Sequence, residues 1–487
     1  MAKQATELQY AVRFRVVFKY FGQLCLVLGA LTLVPLAMSL IYGEWHITLR
    51  YIVVVCGLSG LGLGTARLRA PSSVQANEGL VLVALVFLFT PLVLSYPMMG
   101  AGLSFLDAFF EAVSGVTTTG LSTKATLVGA PATFLFARAW MQWYGGLGIV
   151  VLSLALVLQQ GLVAKGLAAS EIETADWGGS ARAYARRALK VYGVLTALGI
   201  IGSLLVGVGF SDAVLYTFTA VSTAGFAPHD NSLAALGWVQ QWWITLLCLA
   251  GAIPLAFYYR MLKERRRVAV DFLQLRAVVI ASLVVSLAVG ASMRLSAGMA
   301  WPQVLHHAPL MALSAQTTTG FASTPCAQLD AGSKLVLIIS MLVGGGAGST
   351  AGGFKLLRLL IAVSVFRWML LQTCLPKHAV ITPRLAGRRL QNEEIHAVLL
   401  IIVLFVVVVA LSWLPFVAMG YNPLDSLFEV VSAVATAGLS VGLSSETLPA
   451  LLKGILCVDM LLGRLEIIAW LVMLYPGTWF GRRMEGT

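Results

Sequence analysis

The sequence predicts an all-α polytopic membrane protein: two N-terminal transmembrane helices, then four pseudo-symmetric repeats of helix, pore loop and helix around a central ion pore. Three observations predict it. Of 487 residues, 59% are hydrophobic and 11% charged, and the charges occupy short intervals between apolar runs, which excludes a water-soluble core of this size. Four stretches align without a gap: Asp107 to Gly120, Asp212 to Gly225, His307 to Gly320, and Asp425 to Gly438. Each ends in Thr-X-Gly and lies between two long apolar runs. The Lys and Arg residues, finally, cluster so that one membrane face collects nearly all of them.

Windows of about 20 residues place spans near 16–42, 49–65, 79–96, 134–158, 191–209, 238–258, 277–290, 335–365, 397–418 and 451–475. Ten spans put both termini on one side. Basic clusters choose the cytoplasm for that side: Arg13, Arg15 and Lys19; Arg67 and Arg69; Lys165 and Arg182 to Lys190; Arg260 to Arg267; Arg384, Arg388 and Arg389; Arg482 and Arg483. The Thr-X-Gly segments then lie toward the outside. The first apolar run is too long for a signal-peptide core and lacks a small-residue cleavage site, so it reads as an uncleaved span. The boundaries that follow are 1–75 for the N-terminal pair, then 76–165, 166–267, 268–378 and 379–487 for repeats one to four, the third having a broken last helix.

The net charge of +12 is mostly this topology signal, with attraction to anionic lipid; no nucleic-acid motif accompanies it. Cys25, Cys56, Cys248 and Cys457 fall inside apolar spans, Cys374 near a cytoplasmic end and Cys326 in an outer loop, which supports neither a disulfide framework nor a Cys-x-x-Cys metal site. No catalytic residues emerge. H-E-x-x-H, G-x-S-x-G and any cysteine–histidine set are missing from the sequence, which argues against a membrane enzyme.

Each repeated segment runs from an acidic or polar residue through a few apolar helical turns to the threonine–glycine corner, as from Asp107 to Ser114, and is too short to span. Backbone that leaves a helix at membrane depth survives only when buried in protein or facing a wet cavity. Glycine at the corner adopts positive φ at little cost and lets the preceding carbonyls turn toward an axis, while threonine hydroxyls pack the strand or add oxygens. Four such strands supply rings of oxygens that replace the water shell of a monovalent cation. The alternative is that Gly and Thr only permit close helix packing. Packing alone does not require a polar half-helix with the same 13-residue offset from Asp or His to Gly four times.

The cation-coordinating candidates are therefore Thr117, Thr118, Thr119 and Gly120; Ser222, Thr223, Ala224 and Gly225; Thr317, Thr318, Thr319 and Gly320; and Ala435, Thr436, Ala437 and Gly438. With these, the run Gln142 to Gly148 (QWYGGLG), the run Gly344 to Phe354, and Met460 to Glu466 (MLLGRLE), nearly the whole chain resembles the Trk/Ktr/HKT superfamily of potassium transporters, and within it the TrkH-type subunits. The resemblance implies potassium, because a glycine at every corner goes with potassium preference in that family, whereas serine in the first repeat goes with sodium permeation in some plant members. It also matches the first two spans to the extra pair of Trk subunits. It implies a bacterial inner-membrane homodimer that binds, on its cytoplasmic face, a TrkA-type regulatory subunit carrying ATP or NAD. The basic loops Arg182 to Lys190 and Arg260 to Arg267 would dock such a partner or serve only as topology determinants.

From Leu335 to Arg367 the chain stays largely apolar, about 50 Å as one helix against about 30 Å of hydrocarbon, so it must break or tilt. The break is written at Gly344, Gly345, Gly346, Gly348, Gly352 and Gly353, with Ser349 and Thr350 between. A phosphate loop is excluded by the missing Gly-Lys-Ser/Thr ending. By resemblance this segment gates the pore from below, with Lys355 and Arg358 at its cytoplasmic end. Arg464 stands near the middle of the last span, where a cation needs a partner or a wet cavity. It is either a structural ion pair with Asp459 or Glu466 or, as the resemblance favours, a positive charge under the corners that helps hold the loop closed.

Two positions depart from the pattern: His307 replaces the repeated aspartate, and Gln316 replaces the valine four before glycine in the other repeats. Asp107, Asp212 and Asp425 are expected to cap their half-helices. Glu111 and Glu429, nine before glycine in repeats one and four, read as backbone-binding rather than cation-concentrating, and His229 with Asp230 lacks the further ligands of a metal site. The function expected is potassium uptake driven by the membrane potential, with any coupled proton or sodium ion left open. The rivals are a Na+/K+ cotransporter on the same pore and a secondary transporter of another solute, which would show two inverted halves rather than four quarters.

Overall fold

The computed structural model describes residues 11–71, 74–158, 181–261, 269–374, 382–465 and 467–480; Lys165, 263–267, Arg482 and Arg483, part of the basic clusters, and Glu466 lie outside the described residues. Helices α1 (Phe14–Ile41) and α2 (Trp45–Ala66) form a hairpin whose turn uses Gly43 at φ +70°. Repeat one follows as α3 (Ala76–Met98), α4 (Phe105–Val116) and α5 (Ala132–Leu158). Repeat two is α6 (Ala181–Leu205), α7 (Phe210–Val221), α8 (Trp238–Gly251) and α9 (Leu255–Tyr259). Repeat three is α10 (Ala269–Leu295), α11 (Trp301–Gln316), α12 (Ala331–Val343) and α13 (Leu356–Thr373). A two-residue hairpin, β1 (Arg384–Leu385) and β2 (Arg388–Arg389), leads into repeat four: α14 (Asn392–Ala418), α15 (Pro423–Val434), α16 (Ala450–Arg464), α17 (Ile468–Leu474) and α18 (Pro476–Phe480).

Layering follows hydrophobicity. The short helices α4 and α15 are buried over their C-terminal turns, with Phe110, Ala112 and Val113 and then Phe428, Val430 and Val431 fully inaccessible. The outer helices α10 and α14 instead expose Ile280, Leu283, Leu287, Leu400, Val403 and Leu411, the apolar face a lipid-contacting helix presents. Seven of the described helices are long and apolar enough to cross a membrane, and the protein is a multi-pass membrane protein.

Besides the break expected in repeat three, two of the ten windows read from the sequence, 238–258 and 451–475, are not single helices. The second helix is cut in repeat two at Ala252 to Pro254, in repeat three between Val343 and Leu356, and in repeat four just past Arg464, leaving α8, α12 and α16 only 14, 13 and 15 residues long. Pro254 explains the first cut, since it has no N–H to give a continuing helix. At the third, Ile467 sits at φ +49°, a costly conformation for a β-branched residue, and Trp470 donates its indole N–H to the Leu461 carbonyl at 2.9 Å.

The N-terminal hairpin is tied to repeat one by charge. Glu44 accepts the Ala132 and Thr133 amides at 2.8 and 3.2 Å, supplying the acceptors that the first turn of α5 lacks. Arg13 grips the fully buried Glu78 in α3 with Nε and Nη2 at 2.8 and 2.9 Å, a bidentate pair.

Candidate functional site

All four short helices end the same way. Thr117, Ser222, Thr317 and Ala435 close them with right-handed backbone, and the next residue, Thr118, Thr223, Thr318 or Thr436, turns left-handed at φ +54°, +50°, +51° and +47°. The amide of that threonine bonds back three residues, as Thr118 N to Gly115 O at 3.1 Å, and the next amide bonds back five, as Thr119 N to Ser114 O at 2.9 Å. This is a Schellman cap with threonine where glycine is usual. Each glycine follows at positive φ: Gly120 +96°, Gly225 +80°, Gly320 +88°, Gly438 +79°. Reversing handedness twice in three residues swings successive carbonyls out of the helix direction. The left-handed threonine was not legible in the sequence, because a β-branched residue is a poor choice there.

The four corners meet. A Cβ placed on Gly120 would overlap the Ala224 carbonyl oxygen, one on Gly225 that of Thr319, one on Gly320 that of Ala437, and one on Gly438 that of Thr119. The contacts run from repeat one to two, two to three, three to four and four back to one. Such a closed cycle requires the four strands to stand around one axis.

Neighbouring groups brace the cycle. Gln142, in the QWYGGLG run, donates to the Ala224 carbonyl at 2.7 Å and accepts from the Phe226 amide at 3.1 Å, so repeat one holds the corner of repeat two. Sequence reasoning quoted Gln142 but gave it no role. Glu111 accepts from the Thr123 amide and the Ser122 hydroxyl and pairs with Arg138 at 2.9 Å, while Arg138 lies 3.9 Å from the centre of the Phe226 ring. Glu429 does the same in repeat four, accepting from Ser440 Oγ at 2.8 Å and from the Val441 and Ser444 amides at 3.1 Å each. Both carboxylates are fully buried.

At the N-terminal ends of the short helices, the expectation that Asp107, Asp212 and Asp425 cap their helices is not met. The caps are Ser104 and Asn422, whose side-chain oxygens each accept the Asp107 or Asp425 amide at 3.2 Å, and Gly209 precedes the helix of repeat two without a side-chain bond. The aspartates sit in the first turn and reach the preceding repeat: Asp107 pairs with Lys453, and Asp425 with Lys334 at 2.7 Å. Asp212 pairs with His229 at 2.8 Å, and His307 Nδ1 lies 3.1 Å from Ser323 Oγ. The register that places Lys453 and Lys334 has Gln241 in repeat two, so a third aspartate would find no lysine there. Asp230 binds Thr126 Oγ1 and the Leu127 amide, both at 2.7 Å, and no metal-holding cluster occurs among the described residues.

The glycine-rich segment lies against the corners at the C-terminal ends of the short helices. Gly353 N donates to Ala435 O at 3.0 Å, Gly352 N to Thr318 Oγ1 at 2.6 Å, and Thr350 Oγ1 to Val221 O and Gly251 O at 3.1 and 3.0 Å. The segment is anchored above and beside by Gly346 N to Ala252 O at 3.1 Å and Ala347 N to Gln274 Oε1 at 2.8 Å, and Ser349 Oγ donates to Gly346 O at 2.6 Å. Arg464 Nη1 donates to Thr350 O at 2.9 Å. Arg464 is buried and makes no ion pair among the described residues; Asp459 binds Ser412 Oγ at 2.6 Å instead. Lys355 donates to Ala351 O and Arg358 to Phe354 O, so both fold back on the segment.

Gln316 now has a physical account. In repeats one, two and four the valine carbonyl at this position packs on a glycine of the second helix, Gly145, Gly251 or Gly463, where a Cβ would collide. In repeat three that helix has broken, and Gln316 Nε2 donates to the freed Gly344 carbonyl at 2.6 Å while Oε1 accepts from Ser340 Oγ at 2.9 Å. Gln316→Val, which restores the residue of the other repeats, leaves both groups unpaired at a cost of about 1–3 kcal/mol. The expected result is faster amide hydrogen exchange in 344–353, measured by mass spectrometry; unchanged exchange contradicts the assignment.

A family model described as TrkH, cation transport protein, matches residues 46–476. The chain is 29% identical to the Trk system potassium uptake protein TrkI of Halomonas elongata over 96% of this chain and 97% of the relative, and 26% identical to Trk system potassium uptake protein TrkH of Escherichia coli over 96% and 100%. An uncharacterized cation transporter of Methanocaldococcus jannaschii is 28% identical over 93% of both. The crystal structure of the potassium transporter TrkH of Vibrio parahaemolyticus shares the fold, with a TM-score of 0.84 at 24% identity, covering 96% of this chain and all of that one. With the four-repeat architecture and a family match across most of its length, the chain belongs to the TrkH family of cation transport proteins.

Proposed function

We propose that the protein takes up potassium ions through the ring of four Thr-X-Gly corners, with the segment 344–353 and Arg464 as its gate. The observation that carries this reading is the closed cycle of glycine–carbonyl contacts, which supports a ring of backbone oxygens of the kind that replaces a cation's hydration shell. Relatives named as potassium uptake proteins support the choice of ion. The drive is the membrane potential: one charge moving inward gains about 2.3 kcal/mol per 100 mV, so a tenfold gradient needs only about 60 mV. In the same reading the four repeats are the functional units at the boundaries given above, both termini face the cytoplasm of a bacterial inner membrane, and two copies pair and bind a TrkA-type nucleotide-binding subunit there.

Growth rescue tests the reading. A bacterium deficient in potassium uptake should grow at low potassium when it expresses the wild-type chain. Gly120→Ser should lose that rescue or admit sodium. A wild-type chain that reaches the membrane yet neither rescues growth nor carries rubidium would overturn the proposal.

A further inference from the structure

The threonines beneath the corners carry a second inference, which rests on the uptake reading. Thr318 and Thr223 each donate their hydroxyl proton to the carbonyl of the preceding residue, at 2.8 and 2.7 Å, and Thr223 Oγ1 shares its proton with Thr350 Oγ1; at Thr318 a lone pair is what is left to offer. Thr118 Oγ1 and Thr436 Oγ1 are buried and have no hydrogen-bond partner among the described residues. The methyl groups of Thr118 and Thr223 point at the flanking helices: Cβ atoms built on Gly145 and Gly251 would meet their Cγ2 atoms at 3.4 and 3.0 Å. The hydroxyls of these two therefore point away from those helices. Holding four β-branched residues left-handed costs on the order of 1–2 kcal/mol each, and strain repeated at one level of a structure marks a site whose geometry is used.

The glycine-rich segment sits on this same level. The Gly352 amide takes the Thr318 hydroxyl oxygen at 2.6 Å, a Cβ on Gly352 would overlap Thr436 Oγ1, and Thr350 Oγ1 is 3.2 Å from Thr223 Oγ1. An N–H carries partial positive charge, so the amide presents to these oxygens the polarity that a cation would. We propose that the Thr118, Thr223, Thr318 and Thr436 hydroxyls form an inner binding site for a dehydrated monovalent cation, and that residues 350–353 compete with the ion for it. Cation occupancy and loop closure then exclude one another. A permeant ion arriving from above helps to displace the gate, and an empty pore closes itself.

Linkage sets the size of the effect. A ligand that binds only the loop-displaced state raises that state's weight by one plus its concentration over its dissociation constant, about tenfold at a tenfold excess. The test is amide hydrogen exchange of the full-length protein in 200 mM potassium chloride and in 200 mM choline chloride, concentrations of the order used for such salts. Potassium is expected to speed exchange at residues 350–354 several-fold, and Thr318→Val to speed it in choline as well while raising basal rubidium flux. Equal exchange rates in the two salts, in protein that still carries rubidium, would overturn the competition and leave the uptake reading intact. Absence of rubidium flux in the wild type would overturn that reading instead. The wild-type comparison decides the matter even if Thr318→Val does not fold.

Discussion

Gly225→Ala is expected to abolish cation flux in a protein that still inserts and folds. The substitution fails twice. Alanine at φ +80° carries a backbone penalty of about 1–2 kcal/mol, and its methyl would overlap the Thr319 carbonyl oxygen and stand 3.1 Å from Gly320 Cα. Both obstacles are backbone, so no side chain can swing away, and the strands of repeats two and three must part. Moving one carbonyl out of a ring that replaces an ion's hydration costs a few kcal/mol, and about 2.7 kcal/mol is already a hundredfold. Gly129→Ala is the control. It has a similar φ, +74°, but open space around the added methyl, so it bears the backbone penalty alone and should keep near-normal rubidium uptake in liposomes. Flux within twofold of wild type for Gly225→Ala would show that the corners do not form the path.

Arg464→Ala should raise basal flux by more than tenfold. The guanidinium is the donor to the Thr350 carbonyl at 2.9 Å, so its removal unties one end of the segment that lies against the corners. It also deletes a buried positive charge, which opposes a passing cation more strongly than an exposed one would. Arg464→Lys keeps the charge but loses the fork that reaches the carbonyl, and should fall between. The measurement is rubidium uptake into liposomes without any partner protein, normalised to inserted protein. Alanine and wild type with equal flux would return Arg464 to a purely structural role.

The division between what the residues disclosed and what they hid follows the range of the interactions. The four repeats, the short helices and the broken span of repeat three are local: they follow from hydrophobic run length, glycine content and a fixed spacing, and each of these can be read within a window of a few dozen residues. The contacts that assemble the corners are not local. Gln142 reaches Ala224, Gly352 reaches Thr318, and Lys453 reaches Asp107 across most of the chain. Nothing near any of these residues names its partner. The aspartates read as caps because Asp is common there, but Ser104 and Asn422 lie three residues earlier and take that place, which frees the carboxylates of Asp107 and Asp425 for the preceding repeat. The cut after Gly251 did have a local signal in Pro254, which the high hydrophobicity of 238–258 outweighed. The left-handed threonines had none, since their conformation is imposed by the cap behind and the strand ahead.

The central claim is that oxygens of four strands converge on one path and hold a bare alkali cation there. Anomalous diffraction from crystals grown in rubidium chloride tests it most directly. The account predicts rubidium peaks on the axis, at the level of the carbonyls between Thr118 and Gly120 and their counterparts in the other three repeats. Rubidium found only outside the ring, with the axis empty in a well-ordered structure, would contradict it.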